Sequence, residues 1–501
     1  MYPKGRKVLR DHLIAHLQSR QPITCFGLEN HTPALEQLTL DSRYVKPKSV
    51  FIALKGTHTN GEDFISKAIK KGATVIVASL EVAEHYSSLY PTVCFIGTEN
   101  VRLLTSHLSQ LFYPQQPETV VAVTGTNGKT STADFTRQLW EILGKKSASL
   151  GTLGMRSCVY TLEKHLTTPE APYLHQTLQD LQVHGITHLA MEASSHGLEQ
   201  HRLENVTLKA AGFTNITPEH LDYHKTMGEY FNAKLILFQR ILPASGTCVL
   251  NADIPEFDAM VKACGVKTIF SYGQKGKDIH IKSMTPTGHG QRVSLEIFGE
   301  SFDIDFPLIG QFQLYNALCA LGLVLACDRT QIKEAVASLE KLQNIPGRLE
   351  YIGSTKAGAT VYIDYAHTPD GVENLLTSLR RHTKNHLHIV FGGGGDRDPS
   401  TRAPRGALAQ KLADFTYICD DNPRTEDPIS IRRQILSACP SGIEIPDRKD
   451  AIRYAIFSLK TGDILVVAGK GREEGQLVQG QVLPFDDAQV ILETIQEETD
   501  Q

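Results

Sequence analysis

Residues 124–130 read Thr-Gly-Thr-Asn-Gly-Lys-Thr, after the apolar run Val120-Val121-Ala122-Val123 and before Ser131. An apolar strand that enters a glycine-bearing turn and leaves it through Lys-Thr into a helix can wrap phosphate oxygens in backbone N–H groups, where the helix dipole also favours negative charge. Gly125, Thr126, Asn127 and Gly128 would form the cradle. Lys129 would stand in the open cleft and reach the β- and γ-phosphates, the Thr130 hydroxyl would hold Mg²⁺, and Ser131 would continue the helix. Val123 occupies the place of the first glycine in the usual G-x-x-x-x-G-K-[ST] pattern. A tight βα turn of any doubly wound domain is the competing reading. Strand, turn, Lys-Thr and helix together favour ATP.

Further polar clusters follow apolar runs, where α/β sheets place ligands. Glu192 and Ser194 stand at one such end, in Glu192-Ala193-Ser194-Ser195-His196-Gly197-Leu198; alone, this could be a capped loop. Glu219-His220-Leu221-Asp222-Tyr223-His224 follows another. His220 and His224, four apart, could ligate a metal or lie at the surface, and Mg²⁺ prefers oxygen donors. Lys234 is the one charge in an apolar helical stretch; a snorkelling lysine is its bland explanation. Later in the chain, Gly392-Gly393-Gly394-Gly395-Asp396-Arg397, Asp420-Asp421-Asn422-Pro423-Arg424 and Gly469-Lys470-Gly471-Arg472-Glu473 each end an apolar run. Three such ends in phase describe one wall of a cleft that receives a carboxylate-bearing molecule.

Short apolar runs alternating with amphipathic stretches imply a largely parallel α/β protein. Strands are expected over 49–54, 73–77 and 92–96, then a helix over 100–112 and a polar, proline-bearing linker over 113–118. A second block should carry strands over 119–124, 188–192, 209–213 and 247–250, a helix over 129–143, and a last helix over 313–327. A third should hold strands over 360–364, 386–391, 415–419 and 463–468. The expected domains are 1–98, 99–345 and 346–501. With 501 residues there is material for several cores. Fifty-one basic against fifty-five acidic residues argue against a general nucleic-acid binder. Nine scattered cysteines without a CxxC pair indicate neither a zinc ribbon nor a disulfide framework. No run of 18 apolar residues suggests a membrane span, and charges interrupt the amino-terminal stretch where a signal peptide would be apolar. A cytoplasmic protein is expected.

Together the motifs resemble the Mur ligase family. The likeness runs from Leu40-Asp41-Ser42-Arg43 to Gly469-Lys470-Gly471-Arg472-Glu473 and includes Asp364-Tyr365-Ala366-His367-Thr368-Pro369-Asp370. It implies three domains: a smaller N-terminal α/β domain for a uridine nucleotide, a central P-loop-type ATPase domain with a mostly parallel sheet, and a C-terminal Rossmann-like domain. The implied reaction adds meso-diaminopimelate to the D-Glu side-chain carboxylate of UDP-MurNAc-L-Ala-D-Glu through an acyl phosphate, with ATP as co-substrate and Mg²⁺ as cofactor, in peptidoglycan precursor synthesis. A monomer without nucleic-acid or membrane partners is implied. By the same resemblance, Leu40, Ser42, Thr57, His58 and Thr59 touch the uridine diphosphate. Thr167, Thr168, Ser194, Gln200 and Arg202 hold the peptide. Thr130, Glu192, His220 and Lys234 serve the metal, Lys234 as a carbamate, and Lys129, His220 and Lys234 are catalytic. Asn316, Arg348 and Asp364 match ATP contacts; Arg397, Asp421, Asn422, Pro423, Arg424, Gly469 and Glu473 match the amino-acid subsite.

Arg424 carries the expected choice of diaminopimelate over lysine. The two differ by one carboxylate, which a guanidinium matches, whereas lysine would present an ammonium to it. The chain departs from the family's pattern at Gln313, usually Asn, at Gly393, frequently Cys, and at Arg472, frequently His. A lysine-adding or folylpolyglutamate-type ligase is the nearest rival. A nucleotide-driven switch is the rival from another class, and it would need no third domain bearing carboxylate-reading arginines.

Overall fold

Val121 and Val123 point to one side of the central sheet, and Val120 and Ala122 to the other, because successive strand residues alternate faces. The first pair packs with Phe135, Leu139 and Trp140 of the Lys129–Ile142 helix and with Leu318 and Leu321 of the Gln311–Cys327 helix. The second pair packs with Leu174, Leu178 and Leu181 of the Ala171–Val183 helix. A strand covered on both faces must be apolar throughout, as Thr119–Thr124 is. The computed structural model describes residues 7–27, 34–56, 59–162, 166–287 and 290–500.

The central sheet has ten strands. Thr119–Thr124 lies between the parallel strands His188–Glu192 and Ala210–Phe213, and parallel order continues through Thr247–Asn251, Thr268–Gly273 and Ile279–Pro286. Gln291–Ile297 and Glu300–Phe306 then extend it antiparallel. The opposite edge holds Ser147–Gly151 and its antiparallel partner Gly154–Ser157. A smaller five-stranded sheet precedes it, parallel except where Thr24–Phe26 pairs with Cys94–Thr98. A six-stranded sheet follows, parallel except for Glu350–Ser354. Strands, helices and mostly parallel order match the expected fold class.

Three expectations change. The helix Val101–Phe112 puts Leu104, Leu108, Leu111 and Phe112 into one core with Val50, Val75 and Ile96 of the first sheet, so that core reaches past the expected division at 98. The helix over 313–327 begins two residues earlier and is not the last of its block, because Ile332–Ser338 follows and packs Ala335 and Val336 onto the same core. The antiparallel strands between 279 and 306 were not anticipated. Their outward positions carry Lys282, Glu296, Asp303 and Asp305, which dilute the apolar signal. Among the described residues, no helix is long and apolar enough to cross a membrane.

Candidate functional site

The phosphate loop sits at the carboxyl end of Thr119–Thr124, between the ends of two parallel neighbours. Gly125 and Gly128 have φ of 149° and 87°. A β-carbon on Gly125 would fall on Thr214 Oγ1, and one on Gly128 on Asn316 Oδ1, so both glycines are needed for close approach as well as for backbone freedom. Thr126 N–H donates to the Asn215 carbonyl and Asn127 N–H to Asn215 Oδ1, both at 2.9 Å. Asn127 Nδ2 donates to Asp370 Oδ2 at 2.7 Å, which ties the loop to the third domain. Lys129 is half-buried rather than freely exposed, and its ammonium donates to the carbonyls of Gly125 and Thr126.

Behind the loop lies Lys234, on the helix Met227–Ile236. It is 1% exposed, donates to the Gly125 carbonyl at 2.7 Å, and stands 4.3 Å from the Tyr230 ring centroid. Burial, with the Lys129 charge, holds its amine well below the usual lysine range. A snorkelling lysine would reach water; this one does not. Glu192 is 2% exposed and accepts from Thr152 N–H at 2.7 Å and from the Thr152 hydroxyl. Among the described residues no basic side chain pairs with it. A buried carboxylate without a basic partner suits a divalent cation.

Glu219 receives the Tyr230 hydroxyl at 3.2 Å and faces His367 at 3.5 Å. Burial alone would raise its carboxyl, but His367, His220 and Lys129 reverse this and hold it well below the ordinary range. Partial burial lowers His220, against the pull of Glu219. His224 does not share a ligand position with it: its side chain is buried and its Nε2 lies 2.9 Å from Ser195 Oγ. Among the described residues, no group of three His, Cys, Asp or Glu side chains is arranged to hold a metal. A divalent ion here would draw on Thr130, Glu192 and His220, which line one cavity, and complete its shell with phosphate oxygens and water, the usual habit of Mg²⁺.

The opposite wall comes from carboxyl ends of the third sheet. Asp364 spends its carboxylate on the N–H groups of Leu349 and Ala366. This orients the turn from which Arg348 donates to Thr130 Oγ1 at 3.0 Å, with its guanidinium 4.3 Å from the Tyr365 ring centroid. Gln313 donates to the Arg348 carbonyl, so the departure from Asn ties the central helix to that same turn. Arg472 pairs with Glu350 at 2.7 Å. A β-carbon on Gly393 would stand 2.7 Å from Ile431 Cγ2, so this packing leaves no room for the family's Cys. Asn422 donates to Glu473 and accepts from Lys470 and from Leu477 N–H. Arg424, at a φ of 53°, donates to the Gly395 carbonyl at 2.6 Å, and its backbone is strapped at Leu477 and Gln479 to a small hairpin whose antiparallel strands are Gln476–Val478 and Gln481–Leu483.

The two walls enclose a cavity of about 390 Å³. It brings together Thr126, Asn127, Gly128, Lys129, Thr130, Thr167, Glu192, Ser194, His220 and Lys234 with Arg348, Arg397, Asp421, Asn422, Arg424, Gly469 and Glu473. Ser131, Asn316 and Asp364 line a smaller cavity on the far side of the loop. Gly125 lies beneath, bonded to both lysines. Thr168 binds Ser194 and receives Arg202, which in turn donates to Gln200; these brace the cavity without lining it. Pro423 packs behind, close to Gly395. Leu40 packs on the first core, Ser42 is buried and Thr59 exposed; none of the three lines the cavity. Thr57 and His58 lie outside the described residues. Glu219, Tyr230 and His367 were assigned no role from sequence, although Glu219 and His367 stand in motifs that drew notice.

Three family models match the chain: Mur ligase family, catalytic domain, over 35–113; Mur ligase middle domain over 123–324; and Mur ligase, glutamate ligase domain, over 347–471. A protein of Caulobacter vibrioides named UDP-N-acetylmuramoyl-L-alanyl-D-glutamate–2,6-diaminopimelate ligase is 44% identical over 473 residues, 93% of this chain and 95% of its own. One of the same name from Mesorhizobium japonicum is 42% identical over 462 residues, 92% and 94% of the two chains. A solved structure of that name is similar with a TM-score of 0.65 and 31% identity, covering 94% of this chain and 96% of that one. MurF from Thermotoga maritima in complex with ADP shares the fold, with a TM-score of 0.65 and 18% identity over 93% of this chain and 98% of that one.

Proposed function

The chain belongs to the Mur ligase family, and from that membership we propose that it is an ATP-dependent amide ligase joining meso-diaminopimelate to the D-Glu side-chain carboxylate of UDP-MurNAc-L-Ala-D-Glu. The observation that carries this reading is the single cavity in which a phosphate loop faces Arg397, Asn422, Arg424 and Glu473. A free carboxylate resists attack by an amine, so it must first be activated. Its oxygen attacks the γ-phosphorus of ATP, ADP leaves, and an acyl phosphate remains. The amine of the amino acid then adds to the carbonyl carbon, loses a proton, and expels phosphate.

Lys129 holds charge beside the transferring phosphoryl group, and the loop amides orient it; phosphoryl transfer depends mainly on such positioning and neutralisation. Thr130 and Glu192, with His220, would hold Mg²⁺, whose charge neutralises phosphate oxygens. Lys234 serves as a carbamate. Carbon dioxide adds only to a neutral amine, and the burial of Lys234 favours that form. Arg348 closes from the third domain onto the loop. The uridine diphosphate end belongs to the first domain, at Leu40, Ser42 and the 57–59 segment. Thr167, Thr168, Ser194, Gln200 and Arg202 hold the peptide between. Three domains, divided after the linker at 113–118 and near 346, act as one cytoplasmic monomer.

The test is phosphate release and product formation by the full chain with ATP, UDP-MurNAc-L-Ala-D-Glu and either diaminopimelate or lysine. Turnover should require both the UDP-sugar peptide and an amino acid, and prefer diaminopimelate as that amino acid. Phosphate release independent of the acceptors would instead mark a nucleotide switch.

A further inference from the structure

Glu192 takes its direction from a two-residue turn. The strands Ser147–Gly151 and Gly154–Ser157 pair antiparallel with Gly151 opposite Gly154, which leaves Thr152 and Leu153 at the tip. Leu150 stands beside Met191 in the parallel register, so the tip reaches the level of Glu192. There the Thr152 N–H donates to Glu192 Oε1 at 2.7 Å, and the Thr152 hydroxyl donates to Oε2 at 3.3 Å. Thr152 Oγ1 also lies 3.1 Å from Thr167 Oγ1. A β-carbon on Gly151 would stand 2.0 Å from Glu192 Oε1, so the close fit of turn against carboxylate requires glycine there. On the backbone side, the Thr168 hydroxyl donates to the Glu192 carbonyl at 2.9 Å. Thr152, Thr167 and Glu192 line the same cavity.

We propose that Thr152 is a positioning residue that aims the Glu192 carboxylate at a divalent cation and, through the same hydroxyl, fixes Thr167 as a hydrogen-bond acceptor for the peptide. This rests on the ligase reading of the cavity, which gives Glu192 to the metal and Thr167 to the peptide. A carboxylate has about four acceptor positions. Thr152 occupies one on each oxygen and leaves each oxygen free to meet the cation. A hydroxyl carries one proton, and a carboxylate can only accept. The Thr152 proton therefore goes to Glu192, and Thr167 must supply the proton in the contact between the two threonines. Thr167 then turns only lone pairs to the cavity. It can accept from a peptide N–H and cannot donate to a carboxylate. Thr167, Thr152 and Glu192 form one directed chain from peptide to metal, in which each bond polarises the next. Groups that orient a ligating carboxylate matter roughly ten- to a hundredfold in metal affinity.

Thr152→Val removes the hydroxyl, keeps the shape and leaves the backbone N–H in place; Thr152→Ser keeps the hydroxyl. Mn²⁺ alone, titrated into the full chain and read by the electron paramagnetic resonance of the free ion, should bind roughly tenfold more weakly to Thr152→Val. The dissociation constant for UDP-MurNAc-L-Ala-D-Glu, measured by calorimetry, should rise roughly three- to tenfold in the same variant. Thr152→Ser should stay within about twofold of the parent for both ligands. Thr167→Val should weaken the peptide by a similar factor and leave Mn²⁺ within about twofold, because Thr152 still holds Glu192. An unchanged constant for either ligand in Thr152→Val overturns the proposal, as does a parent chain that binds no Mn²⁺. Equal losses in Thr152→Val and Thr152→Ser also overturn it, since they would assign the effect to packing alone. If Thr152→Val does not fold, Thr152→Ser and Thr152→Ala, which differ by the hydroxyl only, decide in its place. Failure of the parent chain to bind UDP-MurNAc-L-Ala-D-Glu would refute the ligase reading itself, a result separable from equal Mn²⁺ affinities in parent and variant.

Discussion

At 1% exposure, with a carbonyl and a ring face at its Nζ, Lys234 has its amine held well below the usual lysine range by burial and the Lys129 charge, against the pull of Glu219. Its neutral form is available to add carbon dioxide, which would turn a buried cation into a metal-binding anion. Lys234→Ala should therefore abolish ligation, and millimolar short-chain carboxylic acids should restore part of it. A bare amine at Nζ in an experimental density map of a fully active sample would defeat that account. Arg424 makes a different kind of claim, because it is half-buried and already bonded to Gly395. Its removal loses a charge-assisted hydrogen bond, about 1.5–3 kcal/mol, or roughly ten- to a hundredfold in the KM for diaminopimelate. The KM values for ATP and the UDP-sugar peptide should not move. Equal shifts in all three would mean that Arg424 only holds its loop to the hairpin.

Elements explain why some of these residues were legible and others were not. Strands buried on both faces announce themselves as apolar runs, and Thr119–Thr124, His188–Glu192 and Thr360–Asp364 begin and end where their sequences predict. Glu192 and Asp364 are the last residues of two of these strands, and Gly125 and Asn127 stand just beyond the third, which is why the sequence alone could single them out. Arg405 gave no such signal: it lies on the second turn of the helix Arg402–Leu412, where an arginine normally reads as surface. Only the packing of that helix under the four-glycine strand end makes it a cavity residue. Glu219 was missed for a related reason, since its partners Tyr230 and His367 arrive from two other elements. The glycine turn itself carries a prediction. Gly128→Ala puts a β-carbon onto Asn316 Oδ1 at a φ of 87°, a conformation costing roughly 1–2 kcal/mol for a residue with a side chain. A modestly lowered melting temperature should accompany at least a tenfold weaker ATP-analogue affinity. Unchanged affinity would show that the loop does not need this turn.

At the scale of the whole molecule, the three sheets bury titratable groups that water would otherwise hold charged. His175 is 3% exposed, its Nε2 lies 3.1 Å from the Glu204 carbonyl, and burial pulls its pKa from 6.5 to about 4. His196 falls to about 4 through burial and the neighbouring His220 and His224. Burial lowers His107 and His388 as well. Each of these imidazoles is neutral in the folded chain at a pH where the unfolded chain is protonated. Between pH 6.5 and 4 the unfolded state binds more protons, so stability rises with pH across that window. The contribution is complete above 6.5 and is lost on acidification through that window. His175 alone should account for about 2 kcal/mol by pH 5, taking 1.36 kcal/mol per pKa unit. Melting temperatures between pH 7.5 and 5 should fall steadily. His175→Gln, which cannot be protonated but can still donate to Glu204, should flatten the slope. Parallel slopes for the two proteins would mean that His175 gains its proton without unfolding, through a local opening of the Ala171–Val183 helix.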